Sequence, residues 1–168
     1  ENYTELRAQL EAKGHKFSSE TDTESVAHLL SDLRKEHNGD LTAAMRDAVK
    51  ALRGSFTLLA IHADAPDVIV GVRRNSPLVV GLGDGENFMA SDVAAFIEFT
   101  KRAIELGQDE VVTMTPTSVE ITDLEGKPVT PKHYEISWDA SAAQKGGFAH
   151  FMLKEIFEQP KAVADTLI

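Results

Sequence analysis

The chain has 168 residues, 42% of them hydrophobic, with 27 acidic against 17 basic side chains and a formal net charge of −10. That composition supports one packed domain and excludes a disordered chain. The negative balance repels phosphate backbones, and no apolar run approaches the roughly 20 residues of a bilayer span, so neither a nucleic acid nor a membrane is expected as partner.

Residues 2–13 read as a helix, with Leu6 and Leu10 four apart and a stop at Gly14. Thr21-Asp22-Thr23-Glu24 has the pattern of a capping box, in which Thr21 accepts from the third amide and Glu24 reaches back. Val26, Leu29, Leu30 and Leu33 continue that helix as an apolar stripe, and Asn38-Gly39 ends it. A third helix is predicted over 42–52.

At Gly54 the period changes. Residues 56–61 form a compact β run, followed by a turn at Ala65-Pro66-Asp67 and a second run over 68–72. Strands over 78–82 and 87–90 flank Gly83-Asp84-Gly85, a hairpin signal. Ser91 or Asp92 caps a short helix through Phe99. Strands return over 102–106, 110–114 and 119–123, with a turn at Glu125-Gly126-Lys127-Pro128. Residues 138–143 read as a connecting segment. It leads through Gly146-Gly147 into helical spacing over 148–159, which Pro160 interrupts before a resumption over 162–168. The fold class is α+β, with helices on one side of mainly antiparallel strands and an extended arm at the end.

Several motifs are weak. Gly81-Leu82-Gly83-Asp84-Gly85 lacks the third spaced glycine and following helix of a dinucleotide loop, so a plain hairpin is expected. The histidines at 15, 28, 37, 62, 133 and 150 show no metal-ligand spacing, and no metal is expected. The absence of cysteine removes disulfides, thiolate metal sites and a cysteine nucleophile from these residues. Ser18-Ser19-Glu20-Thr21-Asp22-Thr23-Glu24 sets three carboxylates and four hydroxyls where a loop enters a helix. Acids there suit the helix dipole. With Thr21 and Glu24 engaged in the cap, Asp22 is the acid left to face a cleft and accept a substrate ammonium.

Three segments in order carry a family resemblance: Ser19-Glu20-Thr21-Asp22-Thr23-Glu24 with Ala27-His28-Leu29; Leu52-Arg53-Gly54-Ser55-Phe56 leading to Arg73-Arg74-Asn75-Ser76-Pro77 and Glu86-Asn87-Phe88-Met89-Ala90-Ser91-Asp92; and Lys145-Gly146-Gly147-Phe148-Ala149-His150-Phe151-Met152-Leu153-Lys154-Glu155-Ile156-Phe157-Glu158-Gln159-Pro160. Together they resemble the glutamine–fructose-6-phosphate aminotransferase family over essentially the whole chain. The third resembles that family's passage from glutaminase domain to sugar-isomerase domain, which other class II amidotransferases, the purine-pathway phosphoribosyl enzyme among them, lack.

The resemblance implies part of a four-layer α/β/β/α N-terminal-nucleophile hydrolase fold. Residues 1–137 would be the C-terminal part of a class II glutamine amidotransferase domain, and residues 138–168 the linker and start of the isomerase domain. The implied chemistry is attack by an N-terminal cysteine on the glutamine amide, aided by an Asn-Gly oxyanion hole. The ammonia passes to fructose 6-phosphate, giving glucosamine 6-phosphate and glutamate. The family uses no metal or redox cofactor and is a cytoplasmic, commonly homodimeric enzyme. The chain resembles a piece starting after the Asn-Gly pair, so the nucleophile and oxyanion hole fall outside it. By itself it is expected to be inactive, with exposed sheet edges and apolar faces. Asp22 aligns with the acid that binds the α-ammonium of glutamine. The reading kept beside this one is a non-catalytic interaction domain derived from another class II glutamine amidotransferase.

Overall fold

The structure is a computed structural model that describes residues 1–137 and 145–167. Three helices open the chain: α1 (Tyr3–Ala12), α2 (Asp22–Glu36) and α3 (Leu41–Ala51). The first two end where the sequence supplies residues tolerant of positive φ. Gly14 sits at φ 96°, and Asn38 and Gly39 sit at 52° and 96°. Asp40 accepts from the Ala43 amide at 3.0 Å and starts α3.

Eight strands follow: β1 (Phe56–His62), β2 (Ala65–Arg74), β3 (Val79–Leu82), β4 (Asn87–Ala90), β5 (Arg102–Glu105), β6 (Val111–Met114), β7 (Val119–Thr122) and β8 (Lys132–Glu135). Among the described residues they form two antiparallel four-stranded sheets, ordered β1-β2-β6-β7 and β4-β3-β5-β8. Period-two alternation on β2 decides what each face meets. Val70 and Val72 turn toward the helices and are fully buried against Leu30, Ala44, Met45, Ala48 and Val49. On the opposite face, Val112, Met114 and Ile121 meet Leu78, Val80, Ile104 and Leu106 of the second sheet. Gly71 is what lets the two sheets close there, since a Cβ at this position would run into the Met89 sulfur.

The far face of the second sheet is covered by Phe96 and Ile97, packed with Ala103 and Ile136. The layers are therefore helices, sheet, sheet and a thin covering segment. That segment is a single 3₁₀ turn, Val93–Ala95, capped by Asp92, instead of the helix through Phe99 that the sequence suggested. The hairpin at Gly83-Asp84-Gly85 forms as expected, with Leu82 opposite Asn87 and the Gly83 amide donating to Glu86 at 3.0 Å.

Three further expectations are corrected. The β1–β2 turn lies at Ala63-Asp64, and Ala65, Pro66 and Asp67 belong to β2. Pro66 is tolerated because β6 pairs with β2 only from Ile69 onward. Strand β8 had no sequence signal, because all four of its residues are exposed and no apolar alternation exists to read. Pro160 does not interrupt the last helix, α4 (Phe151–Thr166), which runs through it. The helix lies at the surface, with no buried residue, so the carbonyl that loses its donor faces water. The expected connecting segment at 138–143 lies outside the described residues.

Exposed apolar surface is present on the first sheet. Strand β1 is an outer edge of its sheet and leaves Leu59 and Ile61 48% and 72% exposed. No helix among the described residues is long and apolar enough to cross a membrane.

Candidate functional site

A cavity of about 240 Å³ opens between the start of the chain, the first turn of α2 and the segment joining α3 to β1. Its polar rim includes Asn2, Asp22, Arg53 and Thr57, and its floor is Leu6, Val26 and Phe56. The walls are tied together by hydrogen bonds between side chains and backbone. The Asn2 carboxamide donates to the Ala51 carbonyl at 2.9 Å and accepts from the Arg53 amide at 3.0 Å. That double use explains why Asn2, at the N-cap of α1, makes no side-chain cap. Arg74 braces the same segment from β2. Its guanidinium donates to the Leu52 carbonyl at 2.7 Å and the Val49 carbonyl at 3.3 Å, and pairs with Asp109 at 2.7 Å. Val49 is in the last turn of α3, so Arg74 satisfies a carbonyl that the helix cannot.

Asp22 is the first residue of α2 and is exposed at this cavity. The Thr23 hydroxyl lies 3.5 Å from its Oδ1. An ionised acid at a helix N-terminus beside a half-polar cavity can receive a cationic group. The expected capping box does not form. Thr21 is the N-cap residue but makes no side-chain cap. Glu24 instead reaches past Thr21 to the preceding loop, accepting from the Ser18 amide at 2.7 Å and the Ser19 amide at 2.7 Å, and from both serine hydroxyls. The Ser19 hydroxyl first, and then the Ser18 amide, hold the Glu24 carboxyl down to about 2. The physical reason for the longer reach is that two amides and two hydroxyls outweigh the single amide a capping box offers.

Ser25, one turn after Asp22, lines the cavity while being only 1% exposed, and its Oγ has no hydrogen-bond partner. Sequence reasoning did not single it out, because a lone serine in a helix carries no signal.

It also missed a side-chain row beside the site. Glu24, His28 and Asp32 follow each other at four-residue spacing on one face of α2, and that spacing was legible. His15, from the loop after α1, completes the row. Its Nδ1 lies 3.1 Å from His28 Nδ1 and its Nε2 lies 2.9 Å from Asp32 Oδ2. That contact with His15 is the main cause holding Asp32 below the usual carboxylate range. Among the described residues no group of His, Asp or Glu side chains is arranged to hold a metal ion.

A family profile described as "Glutamine amidotransferase domain" matches residues 1–98, which include Asp22 and the whole cavity. The chain is 59% identical over 170 aligned residues to glutamine–fructose-6-phosphate aminotransferase [isomerizing] of Streptomyces coelicolor, covering 100% of this chain and 27% of the relative. The protein of the same name from Thermus thermophilus is 53% identical, over 99% of this chain and 27% of the relative. The one from Aquifex aeolicus is 49% identical, over 99% and 28%. The chain thus spans just over a quarter of the length of these relatives. Among solved structures, a glutamine phosphoribosylpyrophosphate amidotransferase from B. subtilis, complexed with ADP and GMP, superposes with a TM-score of 0.61 at 22% identity. That match covers 73% of this chain and 27% of the other, and speaks for the fold alone. The layered antiparallel sheets, the cavity at the start of α2 and the profile over residues 1–98 agree, and the chain belongs to the glutamine amidotransferase domain family.

Proposed function

We propose that this chain is part of an enzyme that hydrolyses glutamine and delivers the ammonia to fructose 6-phosphate, forming glucosamine 6-phosphate and glutamate. The observation that carries this reading is the 59% identity over the full chain, because the alignment continues well past the generic amidotransferase profile. In this reading residues 1–137 are amidotransferase domain, and residues 138–168 lead toward a sugar-isomerase domain. The parent enzyme is a cytoplasmic homodimer that needs no metal, redox cofactor, nucleic acid or membrane.

Asp22 receives the α-ammonium of glutamine at the mouth of the cavity. The Asn2 and Arg74 tethers hold the opposite wall, so the cavity meets the substrate already shaped. Amide cleavage needs a nucleophile, and these 168 residues contain no cysteine. The chain alone therefore binds at most part of the substrate and is inactive.

The test is isotopic. Full-length protein carrying this segment is given glutamine labelled with nitrogen-15 in the side-chain amide, together with fructose 6-phosphate. Label in the amino group of glucosamine 6-phosphate is the expected outcome. Label released only as ammonia, with no amino sugar formed, overturns the transferase reading but leaves the amidotransferase assignment intact.

A further inference from the structure

The first turn of α2 is held by a contact that reaches outside it. Thr21, the N-cap residue, is extended at φ −77° and ψ 140° and makes no side-chain cap. A helix end without a cap leaves its first amides unsatisfied and frays. Asp22, the first residue of the helix, would fray with it. Glu24, the third, opposes this by reaching back past Asp22 to the loop. Each of its oxygens serves one serine. Oε1 accepts from the Ser18 amide at 2.7 Å and the Ser18 hydroxyl at 3.0 Å. Oε2 accepts from the Ser19 amide at 2.7 Å and from the Ser19 hydroxyl. The Ser19 hydroxyl accepts in turn from the Thr21 amide at 3.3 Å.

Residues 18–24 are thereby closed into a ring, and Asp22 lies within it without spending its own carboxylate on the closure. The contact printed for that carboxylate is the Thr23 hydroxyl at 3.5 Å. Helix α1 holds the same loop from the other side. Arg7 donates to the Ser19 carbonyl at 3.2 Å, pairs with Glu11 at 3.0 Å and lies 4.6 Å over the Phe17 ring. Leu6, its neighbour in the chain, is part of the cavity floor, so the loop is tied to the cavity as well as to α2.

We infer that Glu24 is a positioning residue for glutamine, one that never touches the substrate but holds the Asp22 backbone so that the Asp22 carboxylate meets the cavity. The inference rests on the reading of Asp22 as the acceptor of the α-ammonium. Four donors converge on two oxygens, so the clamp needs a full carboxylate. A carboxamide offers one acceptor oxygen, and its NH2 group would face an N–H on the other side. An ordinary acid in a first helical turn only favours the dipole. Its loss lowers stability and leaves substrate affinity alone. A clamp on Asp22 behaves differently. When Asp22 is presented for a fraction of the time, the apparent affinity falls by that fraction. The rise in KM on losing Glu24 therefore has a ceiling, which is the rise on losing Asp22 itself.

The experiment uses full-length protein carrying this segment, with saturating fructose 6-phosphate. Glu24→Ala should raise the glutamine KM about tenfold, the equivalent of one net hydrogen bond, with kcat little changed. Glu24→Gln should fall between wild type and Glu24→Ala. Ser19→Ala keeps the amide, removes one hydroxyl and should give a smaller rise. Those two milder variants carry the test where Glu24→Ala does not fold. Asp22→Ala combined with Glu24→Ala should match Asp22→Ala alone, because the two residues act as one unit. A lowered melting temperature with an unchanged glutamine KM across the Glu24 and Ser19 variants makes the clamp purely structural and overturns the proposal. So does a double variant whose KM rise is the product of the two separate rises. An unchanged KM in Asp22→Ala itself is a distinct result, which removes the substrate reading of Asp22 and the positioning role with it.

Discussion

Replacing Asp22 by alanine separates a binding role from a helix-end role, because the two carry different magnitudes. As the first residue of α2, an exposed acid contributes about 0.3–1 kcal/mol to the helix through the dipole. As the counter-charge of a substrate ammonium, the same carboxylate contributes about 1.5–3 kcal/mol, the worth of a hydrogen bond to a charged group. At roughly 1.4 kcal/mol per factor of ten, that is a rise of about 10- to 150-fold in the glutamine KM. Among the described residues no contact makes the fold depend on Asp22. Its side chain has the Thr23 hydroxyl at 3.5 Å, and the neighbouring loop is held by Glu24 instead. We therefore expect Asp22→Ala, assayed in the full-length enzyme with saturating fructose 6-phosphate, to raise KM within that range. A counter-charge of that kind would act equally before and during the reaction, so kcat should change little. The melting temperature should fall by no more than a few degrees. Asp22→Asn should lie between the two, keeping an acceptor without the charge. A glutamine KM within threefold of wild type alongside a lowered melting temperature would refute the binding role and leave only the helix end.

Arg74→Lys removes the fork that holds Val49 and Leu52 while keeping a charge, so it should cost about 1–3 kcal/mol of stability by thermal melting and loosen one wall of the cavity. An unchanged melt would mean the bracing is redundant. Gly71→Ala places a methyl against the Met89 sulfur between the sheets and should destabilise by about 1–3 kcal/mol, measured by urea unfolding. A neutral result would show that the sheets can part without cost. The Glu24 carboxyl is lowered on folding, from 4.5 to about 2, so its contribution is complete above the unfolded value and is lost as pH falls toward the folded one. Amide-exchange protection of Ser18 and Ser19 should therefore decline between about pH 4.5 and about pH 2, and protection that holds flat across that window would count against the assigned hydrogen bonds.

Much of this arrangement was legible because single residues carried strong local signals. Gly14 and Gly39 end helices at positive φ, and the Gly83-Asp84-Gly85 hairpin and the β run over 68–72 formed as read. What escaped depended on tertiary context. Strand β8 is an exposed edge without an apolar face, so only its pairing with β5 makes it a strand. Glu24 matched the capping-box spacing and yet found a better set of donors in the loop, a choice that local pattern cannot weigh. Pro160 looked like a stop because breaking a helix is costly in an interior, whereas α4 has no interior side. At the cavity, the sequence singled out Asp22, which lines it, but not the opposite wall. Asn2, Ala51 and Arg53 meet across about fifty residues, a distance over which no spacing rule reaches.

These long-range tethers explain how a site can sit at a sheet edge and still be shaped. Among the described residues strand β1 has no partner on its outer side, and it exposes Leu59 and Ile61, so its far half has little to hold it. Its near half is different. The β1 residues Phe56, Thr57 and Leu58 pair with Arg74, Arg73 and Val72. Arg74 lies 5.0 Å over the Phe56 ring while gripping the end of α3, and the Thr57 hydroxyl donates to the Pro77 carbonyl at 3.0 Å. The lining residues 55–58 are thus fixed to β2 and to the β2–β3 loop independently of whatever lies beyond the β1 edge. Asp22 is fixed from the other side, through Glu24 and the loop it grips. The two walls are held by separate sets of contacts, one built on Arg74 and one on Glu24. Loosening either wall should then weaken glutamine binding without unfolding the other, and the Arg74→Lys and Asp22→Ala effects on KM should add.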